Sequence, residues 1–203
     1  MKVTVSKPRK AQAIFAATLE LLAERGYDAL AIEAVAARAG VNKTTIYRSW
    51  AAKDELLAAA FRDAPVLALQ VPDTGSLRGD LIDVAQQIAT LLSEEPSRRI
   101  AAVMLAAAPD RPATAQVTAA FFADRLQQER CIFERAEHRR ELKPGTDPAA
   151  IMDLLGGALW FRILIRSEPA GAGYIAALVD AILAGVASGV AGPAIGGHPR
   201  DRR

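Results

Sequence analysis

Apolar side chains recur along this chain at steps of three and four residues, the period of an amphipathic helix. Ile14, Ala17 and Leu21, interleaved with Ala16, Leu19 and Leu22, predict a first helix over about residues 9–24, with Gly26 as its left-handed stop. A second, over residues 32–39, turns Val35, Ala36 and Ala39 inward and ends at Gly40. Asn42 can cap a third helix over residues 43–50. A fourth starts near Ala52, carries Leu56, Leu57 and Phe61, and stops before Pro65. Runs of period two, rich in Val, Thr and Tyr, are missing, so no sheet is expected. The fold class is all-α.

The stretch "APVLALQVPDTGS" breaks the pattern with two prolines and turn formers, and reads as a linker. Longer helices are expected beyond it. One spans residues 77–92, with a stripe of Leu81, Val84, Ile88 and Leu91, and the next reaches from Pro96 to about Ala107. "APDRP" separates that helix from a long one over residues 113–140, about 40 Å at ~1.5 Å per residue. Asp147 caps and Pro148 opens a helix over residues 149–166, and a last helix covers residues 174–190. The organisation is then a short-helix domain (1–62), the end of helix four and a linker (63–76), a larger helical domain (77–190) and a Gly/Pro-rich tail expected to be disordered (191–203).

Charge changes the picture only at the N-terminal end. The whole chain of 203 residues carries a net charge of +2, but residues 1–62 hold ten Lys and Arg against six Asp and Glu. Between Glu33 and Asp54 there is no acid, while Arg38, Lys43, Arg48 and Lys53 all fall there. A basic stretch inside a near-neutral protein points to a confined anionic contact, though a solvated basic face gives the same pattern. A single cysteine, Cys131, excludes an intramolecular disulfide and suits a reducing cytoplasm. "MKVTVSKPRK" lacks the apolar core of a signal peptide, and Asp153 and Arg162 interrupt the most apolar run, so no membrane span is expected.

Short helix, glycine turn, short helix is a helix-turn-helix pattern, in which the first helix holds the second at an angle to enter a DNA major groove. Ile46 and Trp50 stand one turn apart and can face the core, leaving Lys43, Thr44, Tyr47 and Arg48 outward. Lys and Arg donate to guanine O6 and N7, Thr touches a thymine methyl, and Tyr reaches phosphate. Lys53 adds a cation at the start of helix four, beside backbone N–H groups suited to phosphate. With Thr45 and Ser49 these form the candidate DNA-binding set. Arg38 is more often a solvated helix charge than a phosphate ligand.

"ALAIEAVAARAGVNKTTIYRSWAAKDELL" resembles the DNA-binding segment of tetracycline-repressor (TetR)-type transcriptional regulators. Val35, Ala36, Ala39, Gly40, Val41, Thr45, Ile46, Tyr47, Trp50, Lys53, Leu56 and Leu57 match its pattern, and "LLAERGYDAL" extends the likeness to residues 9–62. Ala31 departs from the usual capping Ser or Thr, Trp50 from the more frequent Phe, and Ser49 from a larger residue. The resemblance implies a homodimeric regulator, most often a repressor, on a palindromic operator in double-stranded DNA, released by a small-molecule effector and needing no cofactor or metal. Competing readings are a helix-turn-helix used as a protein-docking surface and a loosely specific DNA organiser.

The effector pocket is likewise implied by the resemblance. Its candidates are the large or hydrogen-bonding residues of the long helices: Met104, Phe121, Phe122, Arg125, Phe133, Trp160 and Phe161, each of which also suits ordinary core. Dimerisation is expected through the last two helices, where Gly156 and Gly185 permit close approach beside Leu155, Leu159, Leu178 and Ile182. No catalytic pattern stands out. His138, His198 and Cys131 lack partners at metal or nucleophile spacing, and no phosphate loop or nucleophile elbow occurs.

Overall fold

The computed structural model describes residues 10–107 and 112–186, and these are all-helical, with turns and no strand. Nine α-helices follow in order: α1 (Ala11–Arg25), α2 (Ile32–Ala39), α3 (Lys43–Ser49), α4 (Lys53–Asp63), α5 (Leu77–Ser93), α6 (Ser97–Ala107), α7 (Pro112–His138), α8 (Pro148–Trp160) and α9 (Ala172–Val186). A 3-10 turn at Pro65–Leu67 lies in the linker, and a π-helical turn, Phe161–Ile165, continues α8. The tail and the segment around "APDRP" lie outside the described residues.

Local chemistry explains most boundaries. Gly40 ends α2 with φ 61°, a left-handed conformation in which its N–H caps Ala36 and Ala37 carbonyls. Asn42, Ser76 and Asp147 cap α3, α5 and α8 by accepting from the N–H groups of Thr44, Gly79 and Ala149. Ala31 offers α2 no side-chain cap, so Glu33 in its first turn and the packing of Ile32, Val35 and Ala36 must hold it. α7 ends at His138, earlier than the expected residue 140, because Arg140 takes a φ of 60°. Trp50 is extended and caps α3 rather than belonging to it.

Two hydrophobic cores result. The first joins Ile14, Phe15, Leu19 and Leu22 of α1 with Val35, Ile46, Trp50, Leu56, Leu57 and Phe61, and runs on to Ile100 and Met104 of α6. The second unites α5, α7, α8 and α9 around Leu81, Val84, Phe133, Ile151, Leu155 and Val179. The α1–α4 unit therefore sits on α6 and α7. The linker is fastened as well: Gln70 and Gln87 exchange hydrogen bonds of 2.7 and 3.0 Å, and Arg135 donates to the Pro72 carbonyl. Asp80, fully buried, accepts from Thr74 N–H at 2.7 Å and pairs with Arg135 at 3.5 Å, closing the linker onto α5 and α7.

One expectation is corrected here. Asp153 and Arg162 do not keep residues Pro148–Ile165 from being long and apolar enough to cross a bilayer, with mean hydropathy 1.5 over 18 residues. Its Ile151, Leu155 and Leu159 are buried in the chain's own core, whereas Leu154, Phe161 and Ile165 are more than half exposed.

Candidate nucleic-acid interface and effector cavity

α3 is anchored by one face. Ile46 is fully buried and Trp50 nearly so, with the indole ring edge-on to Phe15 at 5.4 Å between centroids. α2 is clamped to α1 by Arg38, which donates twice to Glu24 at 2.6 and 2.9 Å and lies 3.7 Å from Glu20. Arg38 is thus committed within the fold. Lys10 Nζ donates to the Gly40 carbonyl at 3.0 Å and closes the α2–α3 corner.

The outward side carries the expected row. Lys43, Thr44, Tyr47 and Arg48 are exposed, and Thr45 and Ser49 are half-buried on the flanks. Lys43 makes only an exposed 3.6 Å pair with Glu33, and Arg48 has no ion-pair partner among the described residues. Exposed pairs of this kind contribute little, so both cations remain available to an anion. The Thr44 hydroxyl donates to Asn42 at 3.0 Å and would have to turn to reach a base. Lys53 stands at the start of α4, as expected, and its ammonium is already engaged. Its ammonium donates to the Tyr27 carbonyl at 2.9 Å and lies 4.0 Å from the Tyr27 ring centroid. That leaves two donors for a phosphate and gives Lys53 a second task, tying α4 to the α1–α2 turn. Tyr27 hydroxyl donates to Asp54 at the same junction.

A cavity of about 270 Å³ opens between the linker, α5, α6, α7 and α8. Met104, Phe121, Phe122, Arg125 and Trp160 line it, as does Gly156 from the expected dimer set. Two expectations are corrected. Phe133 is buried one turn past the cavity, in the core shared by α5, α7 and α8, and Phe161 is 57% exposed on the outer side of the π turn. The rings form a chain across the molecule: Phe61 of α4 contacts Phe121 at 6.1 Å, Phe121 contacts Phe122 at 5.4 Å, and Phe122 contacts Trp160 at 5.8 Å. Arg125 lies over Phe121 and donates to the Leu67 carbonyl, so one cavity residue holds the start of the linker.

Sequence reasoning missed Glu129. It lines the same cavity, is only 3% exposed, and its Oε1 has no hydrogen-bond partner. Burial pushes its carboxyl up from 4.5 to about 7, with Arg125 pulling weakly the other way. Its position four residues after Arg125 on the inward stripe of α7 was the available signal. The folded chain therefore holds this proton over a range where the unfolded chain has lost it. That contribution to stability is full below pH 4.5 and disappears as pH rises through about 7. Glu129→Gln should accordingly gain on the order of 2 kcal/mol over the parent between pH 5 and pH 8. Chemical denaturation of both proteins at the two pH values checks this; equal pH dependence would contradict it.

The dimer candidates divide. Leu155 and Leu159 are fully buried within the chain and Ile182 is 7% exposed, so their side chains are spent on the internal core, a correction to the expected interface. Leu178 is half-buried, and Gly185 is exposed beside Leu154 in a shallow groove. The outward row of α8 and its π turn is Leu154, Gly157, Phe161 and Ile165.

Comparison with known proteins agrees with this geometry. Residues 14–60 match the family model for bacterial regulatory proteins of the tetR family, and residues 71–182 match the tetracyclin repressor-like C-terminal domain. The chain belongs to the TetR family of transcriptional regulators. It is 36% identical over 177 residues to an uncharacterised HTH-type transcriptional regulator of Mycobacterium tuberculosis (strain ATCC 25618 / H37Rv), covering 87% of this chain and 86% of the relative. The crystal structure of the TetR family regulator SCO0332 superposes with a TM-score of 0.70 at 30% identity, over 87% of this chain and 97% of that one. A DNA-binding transcriptional repressor, TetR, of Mycobacteroides abscessus is 45% identical over 75 residues, which is 36% of this chain and 39% of the relative. As a TetR-family member the protein is a DNA-binding regulator, and α2–α3 is its helix-turn-helix.

Proposed function

We propose that this regulator is a homodimeric repressor that leaves a palindromic operator when a small molecule fills the cavity between α5 and α8. The observation that carries the reading is Arg125: it lines the cavity and at the same time holds Leu67, the linker residue next to α4. A ligand that shifts α7 or Arg125 therefore acts directly on the element behind the reading unit, and the Phe61–Phe121 contact offers a parallel route. Small tilts of the two reading units change a half-site separation of about 34–36 Å. Weakening of operator binding is limited to the ligand's preference for the DNA-incompetent spacing, and it is reciprocal. The repressor assignment is supported by the similarity, over 75 residues, to the M. abscessus repressor.

We assign base reading to Arg48 of α3 and positioning on phosphate to Lys53 at the start of α4. Arg48→Ala should cost about 1–3 kcal/mol and relax base preference at one position of each half-site. Lys53→Ala should weaken all sequences about equally and reduce the salt dependence. Competition binding against operator variants at several salt concentrations tests both roles. A Lys53→Ala protein with altered base preference and an unchanged salt slope would reverse the assignment.

A further inference from the structure

The cavity has an uneven chemistry. The linker, α5 and α6 present only apolar side chains to it; α7 contributes Arg125 and Glu129, and α8 contributes Asp153, which is exposed at the rim. Arg125 is engaged with the Leu67 carbonyl and the Phe121 ring, and it makes no ion pair with Glu129 within 4.0 Å. Glu129 is thus a carboxyl on an apolar wall, with one oxygen sealed from solvent and no donor supplied by the described residues. Leaving such a group unsatisfied is costly, and native folds keep few of them. A ligand that brings a donor recovers that loss.

The charge of the wall selects among donors. A neutral hydroxyl can hydrogen-bond either form of the carboxyl, donating to the ionised one and accepting from the neutral one, but it brings no countercharge. An anionic ligand would set like charge against Glu129, and the guanidinium beside it already gives one Nη to the Leu67 carbonyl and lies over the Phe121 ring. A protonated nitrogen supplies both the hydrogen bond and the countercharge, and charge-assisted bonds of this type are the stronger ones. The aromatic rings of Phe122 and Trp160 in the lining favour a cation too. We propose that the cavity takes a lipophilic amine, an apolar body carrying one ammonium group that donates to Glu129. The inference rests on the reading of this cavity as the effector site and adds the ligand's chemical class.

The test is calorimetric titration of the full-length protein with two matched series: 4-phenylbenzylamine, 4-phenylbenzyl alcohol and 4-phenylbenzoate, then decylamine, decanol and decanoate. In each series the amine should bind roughly tenfold tighter than the alcohol or the acid. Glu129→Gln should remove that gap while the alcohols bind as before. With the parent protein, amine affinity should rise several-fold from pH 6 to pH 8 as Glu129 ionises, with proton release on binding, whereas alcohol affinity stays flat. This second readout decides the matter even if Glu129→Gln does not fold. Alcohols or acids that match the amines, or a gap that survives Glu129→Gln, would overturn the amine assignment and leave the cavity as an effector site. Absence of binding by all six compounds would overturn both.

Discussion

Phe161→Glu is expected to turn the proposed dimer into monomers and abolish tight operator binding. The ring lies 57% exposed on the outer side of the π turn, in one row with Leu154 and Ile165, each 59% exposed. Three large apolar side chains on one helical face form a patch that a second copy of the chain would cover. In a two-fold interface each substitution acts twice, and buried aromatic anchors typically contribute about 2–4 kcal/mol apiece. A carboxylate at residue 161 should then raise the dimer dissociation constant by roughly a thousandfold or more. Because a single helix-turn-helix holds only one half-site, operator affinity falls with it. Sedimentation velocity and operator titration on the same preparation check this, with circular dichroism confirming that the helices persist. A Phe161→Glu protein that stays dimeric at micromolar concentration would move the interface off α8.

Trp50→Ala should unfold the reading unit without dissolving the rest. The indole closes the core behind α3, edge-on to Phe15 and next to the fully buried Ile46. Emptying that site should cost about 3–5 kcal/mol, from lost burial and from the cavity left behind. That is a large share of the stability of an ordinary domain, about 5–15 kcal/mol. The core around Leu81, Phe133 and Leu155 does not include Trp50, so α5, α8 and α9 should remain folded. Hydrogen exchange would then rise through α1–α4 and stay low in α5 and α8, while operator binding disappears. Uniform protection with intact operator affinity would mean that Trp50 is not the anchor of α3.

How legible this molecule was depends on the segment. Gly40, Asn42 and the Ile46–Trp50 spacing each permit few conformations, so α2 and α3 could be placed from residues alone. The same spacing separated the outward cations from the core. α8 offered no such contrast. Asp153 apart, it is apolar all round, and periodicity could not tell Leu155 and Leu159, which fill the internal core, from Leu154 and Phe161, which face outward. The π turn that carries Phe161 outward has no signature in residue type. Phe133 was drawn to the cavity by its size, although it lies one turn beyond Glu129 where α7 enters the core. Glu129 itself was overlooked because an acid on a long charged helix normally faces water, and only the packing of α5, α6 and α8 removes that water. The commitments of Arg38 to Glu24 and of Lys53 to Tyr27 are also tertiary, set by how α1 meets α2 and α4.

Two copies of α3 are proposed to read two halves of one palindrome. Selection of bound sequences from a pool of random duplexes by the full-length protein, followed by footprinting of the winners, tests this most directly. The expected result is an inverted repeat whose half-sites lie one helical turn, about 34–36 Å, or a multiple of it apart, with protection centred on each half. Enrichment of a single unrepeated half-site, or duplexes bound with no consensus at all, would contradict it.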